Sequence, residues 1–442
     1  MSAKAWTVMV YLAGDNNLDA AGVTDLGEMK QVGSNGDINL VAQFDRHAAN
    51  VGTTRYFLRK GGALANDAIA QLGETDTGDP KALENFINWA TDNYPARRYL
   101  LVLWNHGQGW DDTDIYAGER GRAAGRGGIA LVRRGKSVRS PVGPAVATAA
   151  VADLNRVGAR RLRRAFFATS AHTALRAVAA GGMRARAILL DDNAKDFLDN
   201  VEMKAVFLKT RKRLGRKIDL VGMDACLMSM AEVAYQIRDS TQFLVGSEQT
   251  EPGDGWPYQR VLAALAARPT MTSAELAQTV VKEYLASYGT NAGVTQSATN
   301  LARCAALATA IGALASALKA GVAKPATRGA IMQARGKVQS FDVVDNVDLC
   351  DLCNLLKQGV GKNTPIGRAC DHVLAAVGGA NGIVIAAGSK GADLKHSSGL
   401  AIYFPTTSVS PLYARLDFVK KTRWGAFLLA YFAAVRKRGG RG

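Results

Sequence analysis

Five stretches of the chain are apolar almost without interruption: "WTVMVYLAG" (6–14), "INLVAQFD" (38–45), "YLLVLWNHG" (99–107), "IDLVGMDAC" (218–226) and "FLVGSEQ" (243–249). Continuous apolar runs of this length mark strands covered on both faces, as in a parallel sheet flanked by helices. Between them the apolar positions fall at helical spacing, over 18–33, 80–94 and 227–239. Strand and helix patterns that alternate in this way predict a doubly wound α/β sheet. After about residue 265 come two more helical patterns, "AELAQTVVKEYLASYG" and "AALATAIGALASALKAG", then two strand-like runs, "GIVIAAG" (382–388) and "GLAIYFP" (399–405). The pattern therefore predicts a first domain over 1–265 and a mixed α/β C-terminal lobe over 266–442 packed on it.

Doubly wound sheets carry their chemistry in the loops that follow the C-terminal ends of the strands. Here those loops are "AGDNNLD", "FDR", "NHGQGW", "MDAC" and "SEQTEPGDGW".

The net charge of +17 over 442 residues suggests a polyanion-binding protein until it is mapped. A basic insertion at about 118–186 and the tail "VRKRGGRG" hold the whole excess, and the rest of the chain is balanced. Both segments are poor in the aromatic residues that stack on bases, so nucleic acid is not expected as a partner. The insertion, rich in Gly and Arg over 118–141, reads as an exposed loop. No run of 18 or more residues is wholly apolar, so no membrane-spanning helix is expected. The N-terminus reaches Asp15 without a small-residue cleavage site, which points to the cytoplasm, or to secretion if a leader precedes the chain. Five irregularly spaced cysteines predict reduced thiols rather than a disulfide framework.

His47, His172, His372 and His396 sit in polar or basic surroundings and read as solvated. His106 differs: it ends an apolar run and precedes Gly107, which lets the backbone pass close to a ligand. Cys226 ends the next long run in the same way. Taken alone it reads as a small buried hydrophobe. If the two strands are neighbours, however, their ends bring His106 beside Cys226, as a thiol needs for a base to activate it. A helix starting directly after Cys226 would also lower its pKa. The N–H groups of Cys226 and Gly107, at strand ends, could hold an oxyanion. No third catalytic residue is expected, because a thiol needs less help than a hydroxyl. Asp224, two residues before the thiol on the same strand, shares its face about 6.6 Å away, so its carboxylate can flank a pocket beside the thiol without touching it. The bland reading of Asp224 is a cap on the following helix.

Together "VMVYLAGDNNL", "LWNHG", "MDACLM", "GSEQTEPGDGWPY" and "GLAIYFP" resemble the clostripain-like cysteine peptidases, relatives of caspases, legumains and gingipains. The resemblance covers most of 5–260 outside the insertion and returns near 380–430. It implies a caspase-like α/β/α sandwich with a mostly parallel sheet, Cys226 as nucleophile and His106 as general base or acid. It also implies cleavage after Arg or Lys in polypeptide substrates, with Asp224 and Asp254 as carboxylates of the pocket for that side chain. For Asp254 a plain turn residue in "PGDG" is the alternative. Members of the family mature by cutting between the base and the nucleophile, which makes Arg120, Arg122, Arg126, Arg133, Arg134 and Arg139 candidates for self-cleavage. The chemistry needs no cofactor. Calcium stays open, because some members depend on it and "GDNNLD" (14–19) and "DDNAKDFLDN" (191–200) are acidic, although neither fits an EF-hand. "CDLC" (350–353) has the spacing of a metal or redox motif, but its helical setting with both thiols on the apolar side reads as core. The rival functions are a catalytically silent scaffold of the same fold and a polyanion binder using the insertion and tail.

Overall fold

The computed structural model describes residues 3–48, 51–111 and 188–439, which belong to one compact unit. The self-cleavage candidates Arg120, Arg122, Arg126, Arg133, Arg134 and Arg139, and His172, lie outside the described residues. The strands are β1 (Lys4–Gly14), β2 (Ile38–Arg46), β3 (Thr53–Phe57), β4 (Ala68–Gly73), β5 (Ala96–Trp104), β6 (Ile188–Asp191), β7 (Asp196–Leu198), β8 (Ile218–Asp224), β9 (Thr241–Gly246), β10 (Val294–Asn300), β11 (Asn346–Asp348), β12 (Val384–Lys390) and β13 (Ala401–Tyr403). The helices are α1 (Asp19–Val32), α2 (Pro80–Asn93), α3 (Asn200–Leu214), α4 (Ala231–Ile237), α5 (Tyr258–Ala267), α6 (Ser273–Ser287), α7 (Cys304–Gly321), α8 (Pro325–Lys337), α9 (Leu349–Val360), α10 (Pro365–Gly378), α11 (Asp417–Thr422) and α12 (Trp424–Gly439).

Among the described residues a nine-stranded sheet runs in the order β12-β10-β9-β8-β5-β1-β2-β3-β4. The five uninterrupted apolar runs are its five central strands, β2, β1, β5, β8 and β9, paired in parallel. Their composition follows from their place, because helices cover both faces. One face packs against α1, α5 and α6 through residues such as Leu26, Leu262 and Tyr284. The other packs against α2, α3, α4 and the helices from α7 onward. Helix starts follow capping chemistry: Asp79 caps α2, and Asp199 with Glu202 and Thr272 with Glu275 form capping boxes on α3 and α6.

Three features differ from the expectations of the pattern. The boundary at residue 265 does not divide the sheet: β10 pairs antiparallel with β9, and β12 with β10, so residues 266–442 extend the sheet begun by the first half. β10, "VTQSATN", escapes an apolar-run criterion because Thr295, Gln296, Ser297 and Thr299 are buried as hydrogen-bonded polar side chains. A membrane-length helix is also present, since Leu301–Gly321 has a mean hydropathy of 1.7 with half of that window buried. Its Leu307, Ile311, Leu314 and Leu318 belong to the core, which makes it the central helix of that layer. "GLAIYFP" contributes β13, which pairs with β11 in a separate two-stranded sheet.

Candidate active site

β5 and β8 are neighbours, in register from Leu100↔Leu220 to Trp104↔Asp224. Their ends therefore place the loops carrying His106 and Cys226 side by side. The Asn105 N–H donates to the Asp224 carbonyl at 3.3 Å. A Cβ on Gly107 would lie 2.5 Å from the Cys226 carbonyl oxygen and 2.9 Å from the Ala225 Cβ. Gly107 is thus required by the close approach of the two loops. Both strands stop two residues short of His106 and Cys226, so neither residue is part of a ladder.

The expected helix directly after the thiol is absent. Leu227 takes a left-handed backbone, φ 65°, in a turn rather than a helix, and Met230 forms a parallel bridge with Ala401. The N–H groups of Leu227 and Ser229 donate to the carbonyls of Gln249 (3.1 Å) and Ser247 (2.8 Å), and the Ser229 carbonyl accepts from the Ala401 N–H at 2.9 Å. α4 begins only at Ala231. Its N-terminus does not act on Cys226, and Asp224 does not cap it.

His106 is buried, with 6% of its surface exposed. Its Nε2 lies 2.7 Å from Asn17 Oδ1. An amide oxygen can only accept, so Nε2 carries the proton and Nδ1 keeps its lone pair. Burial lowers the imidazole pKa to about 4 against a smaller opposing pull from Asp192, and the ring is neutral at neutral pH. The backbone behind it is held by Asn105, whose Nδ2 donates to Ala13 O (2.7 Å) and Leu190 O (2.9 Å). The Asn17 contact was not legible in the sequence, where "GDNNLD" read only as a polar strand-end loop.

The Cys226 thiol, 6% exposed and not in a disulfide, meets the loop after β9. The Glu251 N–H donates to Sγ at 3.2 Å, and the Glu251 carbonyl lies 3.9 Å away. Because β8 ends at Asp224, the same-face argument does not extend to Cys226. The Asp224 carboxylate instead accepts from Tyr258 Oη (2.7 Å) and the Trp256 N–H (3.3 Å), and the backbone at Gly255 passes close by. One segment, 249–258, therefore contacts both the thiol and the acid.

That segment also closes over a group of acids. Burial pushes Asp224 up to about 6. Asp25, which accepts from Trp104 Nε1 at 2.7 Å, is pushed up to about 9 by burial and then by the charge of Asp224. Glu251 is raised well above its ordinary value by the same two causes. Among the described residues none of the three forms a salt bridge. Asp254 is exposed on the Pro252–Gly255 turn and adds to the negative potential at Asp25. Asp25 and Glu251 carried no sequence signal of their own, since one lies within a helix and the other in a polar loop.

His47, His372 and His396 are exposed, and His47 in addition places its Nδ1 2.6 Å from Asp15 Oδ1. Cys353 is buried on α9 and Cys350 partly so. Burial pushes Cys350 up to about 12, and Cys353 is raised by its contact with the Cys370 thiol.

The model of the clostripain family matches residues 10–123 and 174–428 of this chain. Clostripain of Hathewaya histolytica is 26% identical over 289 residues, which is 59% of this chain and 42% of that protein. The match thus spans less than half of that relative's length. Two solved structures share the fold. A secreted C11 cysteine protease from Bacteroides thetaiotaomicron, in complex with an irreversible peptide inhibitor, has a TM-score of 0.59 at 18% identity, covering 96% of this chain and 99% of that one. An inactive zymogen C11 protease from Parabacteroides distasonis has a TM-score of 0.58 at 18% identity, with the same coverage.

Proposed function

The chain belongs to the clostripain family of cysteine peptidases, and from that premise we propose that it is an endopeptidase cutting after Arg or Lys, with Cys226 as nucleophile and His106 as general acid and base. The observation that carries this reading is the contact of the Gly107 loop with the backbone of Cys226. As Sγ bonds to the scissile carbonyl carbon, the thiol proton passes to Nδ1 of the neutral His106. The N–H groups of Cys226 and Gly107 hold the oxyanion. The imidazolium then gives its proton to the departing amine as the C–N bond breaks. Water attacks the thioester with His106 as base, which releases the acid and restores the thiol. The chemistry needs no cofactor.

A basic residue before the scissile bond suits the acids beside the nucleophile. Asp25, Asp224 and Glu251 share a poorly solvated site in which burial favours their protonated forms, and a guanidinium or ammonium entering beside them favours the ionised ones and is attracted to them. Asp254, exposed at the rim, adds to the attraction. Activation is assigned to a cut in the insertion at one of Arg120, Arg122, Arg126, Arg133, Arg134 or Arg139. A thiol and imidazole that are both nearly fully buried suit a chain before that cut.

The test is hydrolysis of fluorogenic peptides ending in Arg, Lys, Asp or Leu by the wild type and by Cys226→Ala. Turnover of the Arg and Lys peptides by the wild type alone is expected. Preference for Asp or Leu would overturn the specificity, and an active Cys226→Ala protein would overturn the nucleophile.

A further inference from the structure

We propose that β13 is a brace that sets the position of His106 relative to Cys226, and that Trp110 is the positioning residue through which it holds the His106 loop. The inference rests on the peptidase reading and adds to it a residue that the chemistry itself does not use.

The loop after β5, "NHGQGW", ends on Trp110, four residues beyond His106. Two glycines bring the loop against the segment carrying Cys226 before that ring is reached. Gly107 lies at the Cys226 carbonyl, and Gly109 takes a left-handed backbone, φ 71°. A Cβ on Gly109 would strike Met230 Sδ and lie 2.9 Å from the Leu227 carbonyl oxygen. The Gly109 carbonyl accepts from Asn200 Nδ2 at 3.2 Å. Trp110 is 2% exposed, and its ring centroid lies 4.4 Å from that of Tyr403 and 4.7 Å from that of Tyr413. The two tyrosine rings are themselves 4.7 Å apart. Each ring thus packs on the other two, in the tilted and edge-on arrangements that aromatic pairs favour.

The two tyrosines are fixed from behind. Tyr403, the last residue of β13, donates its N–H to Glu232 Oε1 at 3.0 Å, and its carbonyl accepts from Trp424 Nε1 at 2.7 Å. Tyr413 Oη donates to the same Glu232 oxygen at 2.7 Å. Glu232 is 0% exposed and sits in the first turn of α4. The same strand also holds the segment after Cys226: the Ala401 N–H donates to the Ser229 carbonyl at 2.9 Å, and Ala401 bridges Met230. β13 therefore grips the Cys226 segment at Ala401 and the His106 loop, through Trp110, at Tyr403. Those two grips are two residues apart on one strand, so the spacing of the two loops is set by one rigid element. In a close-packed interior a smaller side chain at 110 leaves a void into which the loop relaxes, and the imidazole moves with it.

The full chain is compared as wild type, Trp110→Leu, Trp110→Phe, Trp6→Leu and His106→Ala. Trp6, 0% exposed, pairs with Ile38 and Arg98 at the opposite end of the central strands, so Trp6→Leu loses a buried ring without touching the site. Each variant is first cut by a trace of tagged wild type, then freed of it on the tag, so that activation does not limit turnover. Trp110→Leu is expected to lower kcat on Arg peptides about 30- to 100-fold with KM within about twofold of wild type. Trp110→Phe, which refills the aromatic cluster, should recover kcat to within about fivefold of wild type. Trp6→Leu should melt earlier yet keep its kcat. Alkylation of Cys226 by chloroacetamide between pH 5 and pH 9, located by peptide mass mapping, reports the coupling of thiol to imidazole directly. The Trp110→Leu profile should fall to that of His106→Ala, which loss of packing alone would not produce. A Trp110→Leu chain with wild-type kcat and a wild-type alkylation profile overturns the brace and leaves the peptidase reading intact. A wild type that cleaves no peptide and alkylates as His106→Ala does would remove that reading and the brace with it. If Trp110→Leu does not fold, Tyr413→Leu, which opens the same cluster from the other side, takes its place with the same expected loss and the same overturning result.

Discussion

His106 and Asp224 are almost equally buried, yet burial makes their contributions to stability change with pH in opposite directions. For His106 the folded pKa, about 4, lies below the ordinary 6.5, so the unfolded chain takes up the proton first. The contribution is fully present above pH 6.5 and is lost as pH falls toward 4, a change of roughly 3 kcal/mol. Relative to His106→Gln, the wild type should lose about that much stability in urea unfolding between pH 7 and pH 4. Parallel pH profiles would mean that the ring is not held neutral by burial. For Asp224 the folded pKa is raised to about 6, so the penalty is present above pH 6 and gone below about pH 4. Asp224→Asn should therefore melt no lower than the wild type at pH 8. It should nonetheless lose about 2 kcal/mol or more of transition-state binding on Arg substrates, a fall in kcat/KM of roughly 30-fold, with a much smaller change on neutral ones. Equal losses on both would make Asp224 a structural anchor for Trp256 and Tyr258.

At the scale of elements, loops rather than a helix terminus place Cys226. Residues 227–230 are apolar enough to continue α4 backwards, but the N–H groups of Leu227 and Ser229 and the Ser229 carbonyl are taken by Gln249, Ser247 and Ala401. The thiol is consequently placed by the 249–258 segment and by the approach of the Gly107 loop. Gly107→Ala should push those loops apart, since the obstructing atom is a backbone oxygen. We expect kcat to fall about 100-fold, from misplacement of the reacting groups, with a stability loss of roughly 1–3 kcal/mol. Gly27→Ala, where a Cβ on α1 meets nothing within 4 Å, is the control and should leave kcat unchanged. A Gly107→Ala enzyme with normal kcat would remove the loop contact from the mechanism.

Across the whole molecule, the basic insertion falls between His106 and Cys226 in sequence, while those two residues sit just past the ends of neighbouring strands. A cut there leaves β1 to β5 on one fragment and β6 onward on the other, still joined through the β5–β8 ladder and the hydrogen bonds of Asn16 and Asn105 to Leu190. Incubated wild type should give two bands under denaturing conditions and one peak in native size exclusion, and Cys226→Ala should remain a single chain. A fully active enzyme that stays uncut would end the activation hypothesis, and identical fragments from Cys226→Ala would indict a contaminating protease.

The central strands, the covering helices and the adjacency of the loops carrying His106 and Cys226 were legible in the sequence, because continuous apolar runs report burial on both faces and polar interruptions at their ends report loops. β10 was not legible, since its buried residues are polar and satisfied by partners far along the chain. Neither was the non-helical course of 227–230, because an apolar segment does not reveal whether its backbone bonds to itself or to a neighbour. Asp25 and Glu251 beside Asp224 and the Asn17 contact to His106 likewise belong to the tertiary structure. Burial is written locally, in the side chains themselves, whereas which buried group faces which depends on strand order, and strand order is decided by packing between residues distant in sequence.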